Sequence, residues 1–156
     1  MVQEGGQGLQ QHPLAVLPFQ RGQRRDQGRV QHLLVADRPD HYSAAVSSAP
    51  GFAPYSSVLY ECYLGFPQTD REAYRKAETY PLATNLEAAY LLACGTVDHA
   101  TWTDSLKMSE ALIQAGKAHE FVALPGQFHA FDSLHDGYFW EKVGTFFRAH
   151  LGSGQD

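Results

Sequence analysis

Two residues in this chain have the type and setting for acid–base chemistry, Asp98 and His129. Asp98 closes the turn Gly95-Thr96-Val97-Asp98, which ends the apolar run Ala89 to Cys94. His129 sits in a loop opened by Pro125-Gly126, after a shorter apolar run, Phe121 to Leu124. Between the runs, Met108, Ala111, Leu112 and Ala115 recur at i, i+3, i+4 and i+7, which predicts a helix from Asp104 to Ala115 with one buried face. Strand, helix and strand make a βαβ unit. In open α/β sheets the working groups sit at the carboxyl ends of the strands, where Asp98 and His129 both fall. A carboxylate that accepts from a histidine Nδ1–H fixes the tautomer and turns Nε2 toward a nucleophile. Asp before His is the order of the last two members of a Ser, Asp, His triad.

The elements that must position this pair follow from punctuation and period. Met1 to His32 is rich in Gln, Gly and Arg, and its one apolar patch, Leu14 to Phe19, is cut by Pro13 and Pro18. No period holds there, so residues 1–32 are expected to be irregular and disordered. Leu33 to Asp37 reads as the end of a helix stopped before Pro39, and Ala44 to Ser48 as a short buried strand. Tyr55 to Gly65 reads as a helical excursion. Asp70 is placed to cap a polar helix from Arg71 to Ala77, and Gly116 to close the helix that ends near Ala115. A last helix is expected over Tyr138 to Leu151, with Phe139, Val143, Phe146 and Phe147 toward the core, and then a tail over residues 152–156.

Several of these segments together resemble the catalytic domain of prolyl-oligopeptidase-type (S9) serine peptidases, in the branch of the dipeptidyl peptidases and acylaminoacyl peptidases. The likeness is carried by the G-T-x-D turn at Gly95 to Asp98, the helix segment SLKMSEAL at Ser105 to Leu112, and the P-G-x-x-H-x-F loop at Pro125 to Phe131. Upstream, a helix ending in Arg38-Pro39-Asp40 followed by the AAVSSAP strand is similar too. The resemblance spans roughly Leu33 to Leu151. It implies an α/β fold, the C-terminal part of an α/β-hydrolase over residues 33–151, with about three parallel strands near 44–48, 89–94 and 119–124 and helices on both faces. It further implies peptide substrates, no cofactor, Asp98 and His129 as triad members, and Tyr55 and Leu59 as the pair of positions lining the pocket before the scissile bond.

The same resemblance defines what is missing. The family nucleophile lies in a G-x-S-x-G-G elbow just before the helix that stops ahead of Pro39, which places it near Arg25. The residues there are Gln23-Arg24-Arg25-Asp26-Gln27-Gly28, and no G-x-S-x-G occurs anywhere in the chain. A nucleophile elbow is strained and needs its glycines. The expectation is a truncated or frame-altered serine hydrolase. A non-catalytic interaction module and an esterase on the same fold are the alternatives. Two further departures are His99-Ala100 where the family shows Asp-Asn, and Cys94-Gly95 where it shows His-Gly. Without the elbow strand, the edge beside Ala44 to Ser48 is expected to be open and prone to self-association.

Composition narrows the rest. The 156 residues, 44% apolar and 19% charged, suffice for one domain with a core. A net charge of −5 without a basic block argues against nucleic-acid partners. No apolar run approaches the ~18 residues of a membrane span, and the amino terminus lacks a signal-peptide pattern, so a cytoplasmic setting is expected. Cys62 and Cys94 have no metal-ligand spacing, and Cys94 reads as a buried free thiol. His99 and His119 read as surface histidines. Asp132, His135 and Asp136 match no metal pattern, so no metal is expected.

Overall fold

The computed structural model describes residues 15–16, 42–56 and 58–151. Four parallel strands lie side by side in chain order: β1 (Ala15–Val16), β2 (Ala44–Ser48), β3 (Ala89–Gly95) and β4 (Glu120–Leu124). Among the described residues the helices are α1 (Glu61–Leu64), α2 (Arg71–Ala77), α3 (Trp102–Gln114) and α4 (Ser133–Leu151). Short 3-10 turns occupy Pro54–Ser56, Val58–Tyr60 and Tyr80–Asn85.

A parallel strand covered on both faces must be apolar at every position rather than at alternate ones. β3 reads AYLLACG and is buried from Tyr90 to Gly95, with only Ala89 partly open. Its alternate side chains divide between two cores. Tyr90 and Leu92 join Ala45, Phe52, Met108 and Leu112 on the face covered by α3. Leu91 and Ala93 join Val46, Val122, Leu124, Phe139, Val143 and Phe146 on the face covered by α4. The helices on both faces follow from this division, and the fold is the expected α/β arrangement. Its three longer strands lie where the sequence placed them.

The sheet departs from expectation at its edge. Ala15 and Val16 lie in the stretch read as irregular, yet they form β1 and pair with β2 as Ala15↔Ala45 and Val16↔Val46. The edge read as open is therefore covered at two positions. An apolar dipeptide between two prolines is long enough to satisfy part of a parallel edge, though too short to show a period. The remainder of residues 1–32, the helix end at 33–37 and the tail at 152–156 lie outside the described residues.

Element ends moved where side chains supplied caps that period alone does not reveal. α4 begins at Ser133 rather than near Tyr138, because Asp132 Oδ1 accepts from the N–H groups of Leu134 (3.1 Å) and His135 (2.9 Å). The backbone N–H and the ring of His135 hold the Asp132 carboxyl down at about 2. Asp70 precedes α2 but makes no cap bond, since its Oδ2 accepts instead from Thr69 Oγ1 at 2.7 Å. Gly116 adopts φ +69° and closes α3 with paired bonds, Gly116 N to Ile113 O and Lys117 N to Leu112 O, the Schellman arrangement. The Tyr55 to Gly65 excursion breaks into two 3-10 turns and the single-turn α1, ended by Gly65 at φ +77°.

Candidate active site

Asp98 and His129 lie at the carboxyl ends of β3 and β4, and two local constructions bring them together. After β3 the chain turns, with Asp98 N donating to Gly95 O, and the Asp98 carbonyl then accepts from Thr101 N and Trp102 N at the start of α3. After β4 the loop folds back over the end of β3. Thr96 N donates to Leu124 O, Val97 N to Gln127 O, and Gly126 N to Thr96 Oγ1 at 2.9 Å. A Cβ at Gly95 would stand 2.1 Å from the Gln127 carbonyl oxygen and 2.5 Å from that of Phe128. Only glycine admits the histidine loop this close. Gln127, buried, ties the loop to α4: its Oε1 accepts from Asp132 N (2.8 Å) and its Nε2 donates to Asp132 Oδ2 (3.1 Å).

His129 Nδ1 meets Asp98 Oδ2 at 2.9 Å. Asp98 is 4% exposed, whereas the His129 side chain is 63% exposed. An ionised carboxylate is acceptor only, so Nδ1 carries the hydrogen, and in the neutral imidazole Nε2 is then the nitrogen with the free lone pair. Among the described residues no hydrogen bond engages Nε2. Asp98 accepts two further bonds, from Thr101 Oγ1 to Oδ2 (2.5 Å) and from Ala100 N to Oδ1 (3.0 Å). Burial pushes the Asp98 carboxyl up, but the bonds from Thr101, His129 and the Ala100 N–H outweigh it and hold the group below its ordinary value. The arrangement can orient an imidazole, keep its carboxylate charged, and present a base toward solvent.

The other sequence-read positions fall elsewhere. Tyr55 is 57% exposed in the turn after β2, its ring 4.9 Å from that of Tyr74, and it has no hydrogen bond or ring contact with Asp98 or His129. Leu59 falls in the Val58–Tyr60 turn, and its side chain lies outside the description. His119, read as a surface group, is partly exposed and bonds through Nε2 to Ser109 Oγ at 2.8 Å. Cys94 is buried and free, and burial pushes its thiol up; Cys62 is exposed. His135 bonds to Asp132, and among the described residues no group of three or more ligating side chains gathers. No helix among them is long and apolar enough to cross a membrane.

Reading by period and motif missed Thr101, Asp104 and Gln127. Asp104, 2% exposed on α3, accepts from Phe52 N (3.2 Å) and Ala53 N (3.3 Å) through Oδ2 and from Tyr80 Oη through Oδ1 (3.0 Å). It thereby pins the chain leaving β2 to the helix that follows Asp98. A Thr-x-x-Asp spacing at 101 and 104 was visible, but as a local capping signal.

A parallel sheet with helices on both faces and an Asp–His pair at its carboxyl edge is the arrangement of the α/β-hydrolases. The family model described as "Prolyl oligopeptidase family" matches residues 28–154, and the chain belongs to that family. Among solved structures it is similar to a protein of Bacteroides ovatus described as a dipeptidyl aminopeptidase IV: TM-score 0.73 and 18% identity, over 79% of this chain and 18% of that one. The acylaminoacyl peptidase of Pyrococcus horikoshii gives TM-score 0.66 and 21% identity, over 75% and 21% respectively. An acylaminoacyl peptidase in complex with Z-Gly-Gly-Phe-chloromethyl ketone gives 0.68 and 18%, over 78% and 22%. The chain thus spans about a fifth of the length of these proteins. No curated protein sequence matches it.

Proposed function

We propose that this chain carries the acid–base half of a peptide-cleaving serine hydrolase and, by itself, no nucleophile. The observation that carries the reading is the His129 Nδ1 to Asp98 Oδ2 bond, made by a buried carboxylate to an exposed imidazole. In this role Asp98 holds the tautomer and stabilises the imidazolium. His129 Nε2 takes the proton of an attacking serine and returns it to the leaving amine. Peptides are the proposed substrate class on two grounds, membership of the prolyl oligopeptidase family and the peptide chloromethyl ketone bound by a similar acylaminoacyl peptidase. Tyr55 stays a proposed pocket residue through its exposure beside Tyr74, and Leu59 through its place four residues on.

The absent G-x-S-x-G motif makes the chain alone a base without its partner, and as such it performs no acyl transfer. The short cover that β1 gives β2 also leaves self-association through that sheet edge as part of the proposal. A fluorophosphonate labels only a serine activated in a formed site, so intact-mass spectrometry of the folded, probe-treated chain tests the reading. No adduct is expected, with near-ultraviolet circular dichroism showing a packed fold. A single adduct that disappears in His129→Ala would show that a serine of this chain completes the triad, and would overturn the missing nucleophile.

A further inference from the structure

Thr101 occupies the N-cap position of α3, with φ −123° and ψ −14°. A threonine there ordinarily accepts from a backbone N–H in the first turn. Thr101 makes no such bond. Its hydroxyl, 4% exposed with the rest of the residue, donates instead to Asp98 Oδ2, the same oxygen that receives His129 Nδ1. Asp104, three residues on, likewise leaves the helix end and turns its carboxylate to Phe52, Ala53 and Tyr80. A local capping signal has been given over to tertiary bonds, and local rules are broken most often where a site requires it.

We propose that Thr101 is a positioning residue of the Asp98–His129 pair, its hydroxyl fixing the carboxylate so that Oδ2 faces the imidazole. The geometry supports this through the division of acceptors. Oδ1 is held by Ala100 N, one side of Oδ2 by Thr101 Oγ1, and the remaining side of Oδ2 is left for His129. The carboxylate then has one plane and one free direction, where a carboxylate held only through Oδ1 can rotate. The catalytic meaning rests on the reading above; the positioning itself is measurable without any reaction.

The test is nuclear magnetic resonance of the full chain labelled at its imidazole nitrogens, recorded well above the usual imidazole titration range, with His129 assigned by its loss in His129→Ala. Wild-type His129 is expected mainly as the Nδ1–H tautomer. Thr101→Val keeps the shape and removes the donor, and should lower the ratio of Nδ1–H to Nε2–H by about tenfold, the low end of the scale for a hydrogen bond to a charged group. Thr101→Ser should keep it. An unchanged ratio in a folded Thr101→Val, or equal losses in the Ser and Val variants, overturns the proposal. If Thr101→Val does not fold, Thr101→Cys decides: a thiol is a weak donor, and a wild-type ratio there refutes the role. Failure of the fluorophosphonate reading leaves these signals unchanged, so the two outcomes are separable.

Discussion

Asp98 keeps its charge through donors drawn from two elements, the start of α3 and the loop after β4. Burial raises its carboxyl, but the bonds from Thr101, His129 and Ala100 exceed that effect, and the folded value lies below the ordinary 3.8. A carboxyl depressed by folding stabilises the fold fully above its unfolded value, and that contribution is lost as pH falls through the folded one. Unfolding free energy, followed by urea titration at a series of pH values, should therefore fall as pH drops below about 4. The fall should be smaller in Asp98→Asn. An equal fall in that variant would assign the acid sensitivity to other carboxylates, of which Asp132 and Glu72 are both held at about 2 by their neighbours.

The loop from Pro125 to Asp132 is where an element's placement decides the site. It is closed by backbone bonds to Thr96 and Val97, by Gln127 to Asp132, and by the absence of a side chain at Gly95. Gly95→Ala sets a methyl against two carbonyl oxygens of the loop. It is expected to cost about 1–3 kcal/mol by overpacking and to part His129 from Asp98. Urea unfolding and the His129 tautomer would register the two effects. Gly116 supplies the contrast: its φ is +69° but its Cβ direction is open, so alanine there strains only the backbone and should leave the His129 signal in place. A wild-type His129 signal in Gly95→Ala would show that the loop yields, and that closeness there is not what holds the pair.

At the scale of the sheet, helices cover both faces, and among the described residues the β1 edge pairs with two of the five residues of β2. Sedimentation over a range of concentrations should show the average mass rising with concentration. A monomer throughout would mean that β1 and the chain around it suffice to protect the edge. Much of this architecture was legible beforehand. β2 and α2 fall at the residues read for them, and β3 and β4 within one residue; β3 is the clearest, because a parallel strand buried on both faces reads as a continuous apolar run. The ends of α3 and α4 were less so, since Asp132 and the Asp98 carbonyl act as caps only once the turns before them have formed.

The sequence by itself determined the α/β class, the strand positions, the family likeness, and the two polar groups at the strand ends, for all of these are written in local period, punctuation and motif. It also determined that no G-x-S-x-G motif is present. The meeting of Asp98 with His129 across 31 positions, and of Asp104 with the backbone 52 and 51 positions before it, was decided by tertiary structure. So was the diversion of Thr101 from capping α3 to holding Asp98. A hydroxyl or carboxylate has the same local signature whichever partner it takes; only the packing of strand ends and loops selects the acceptor.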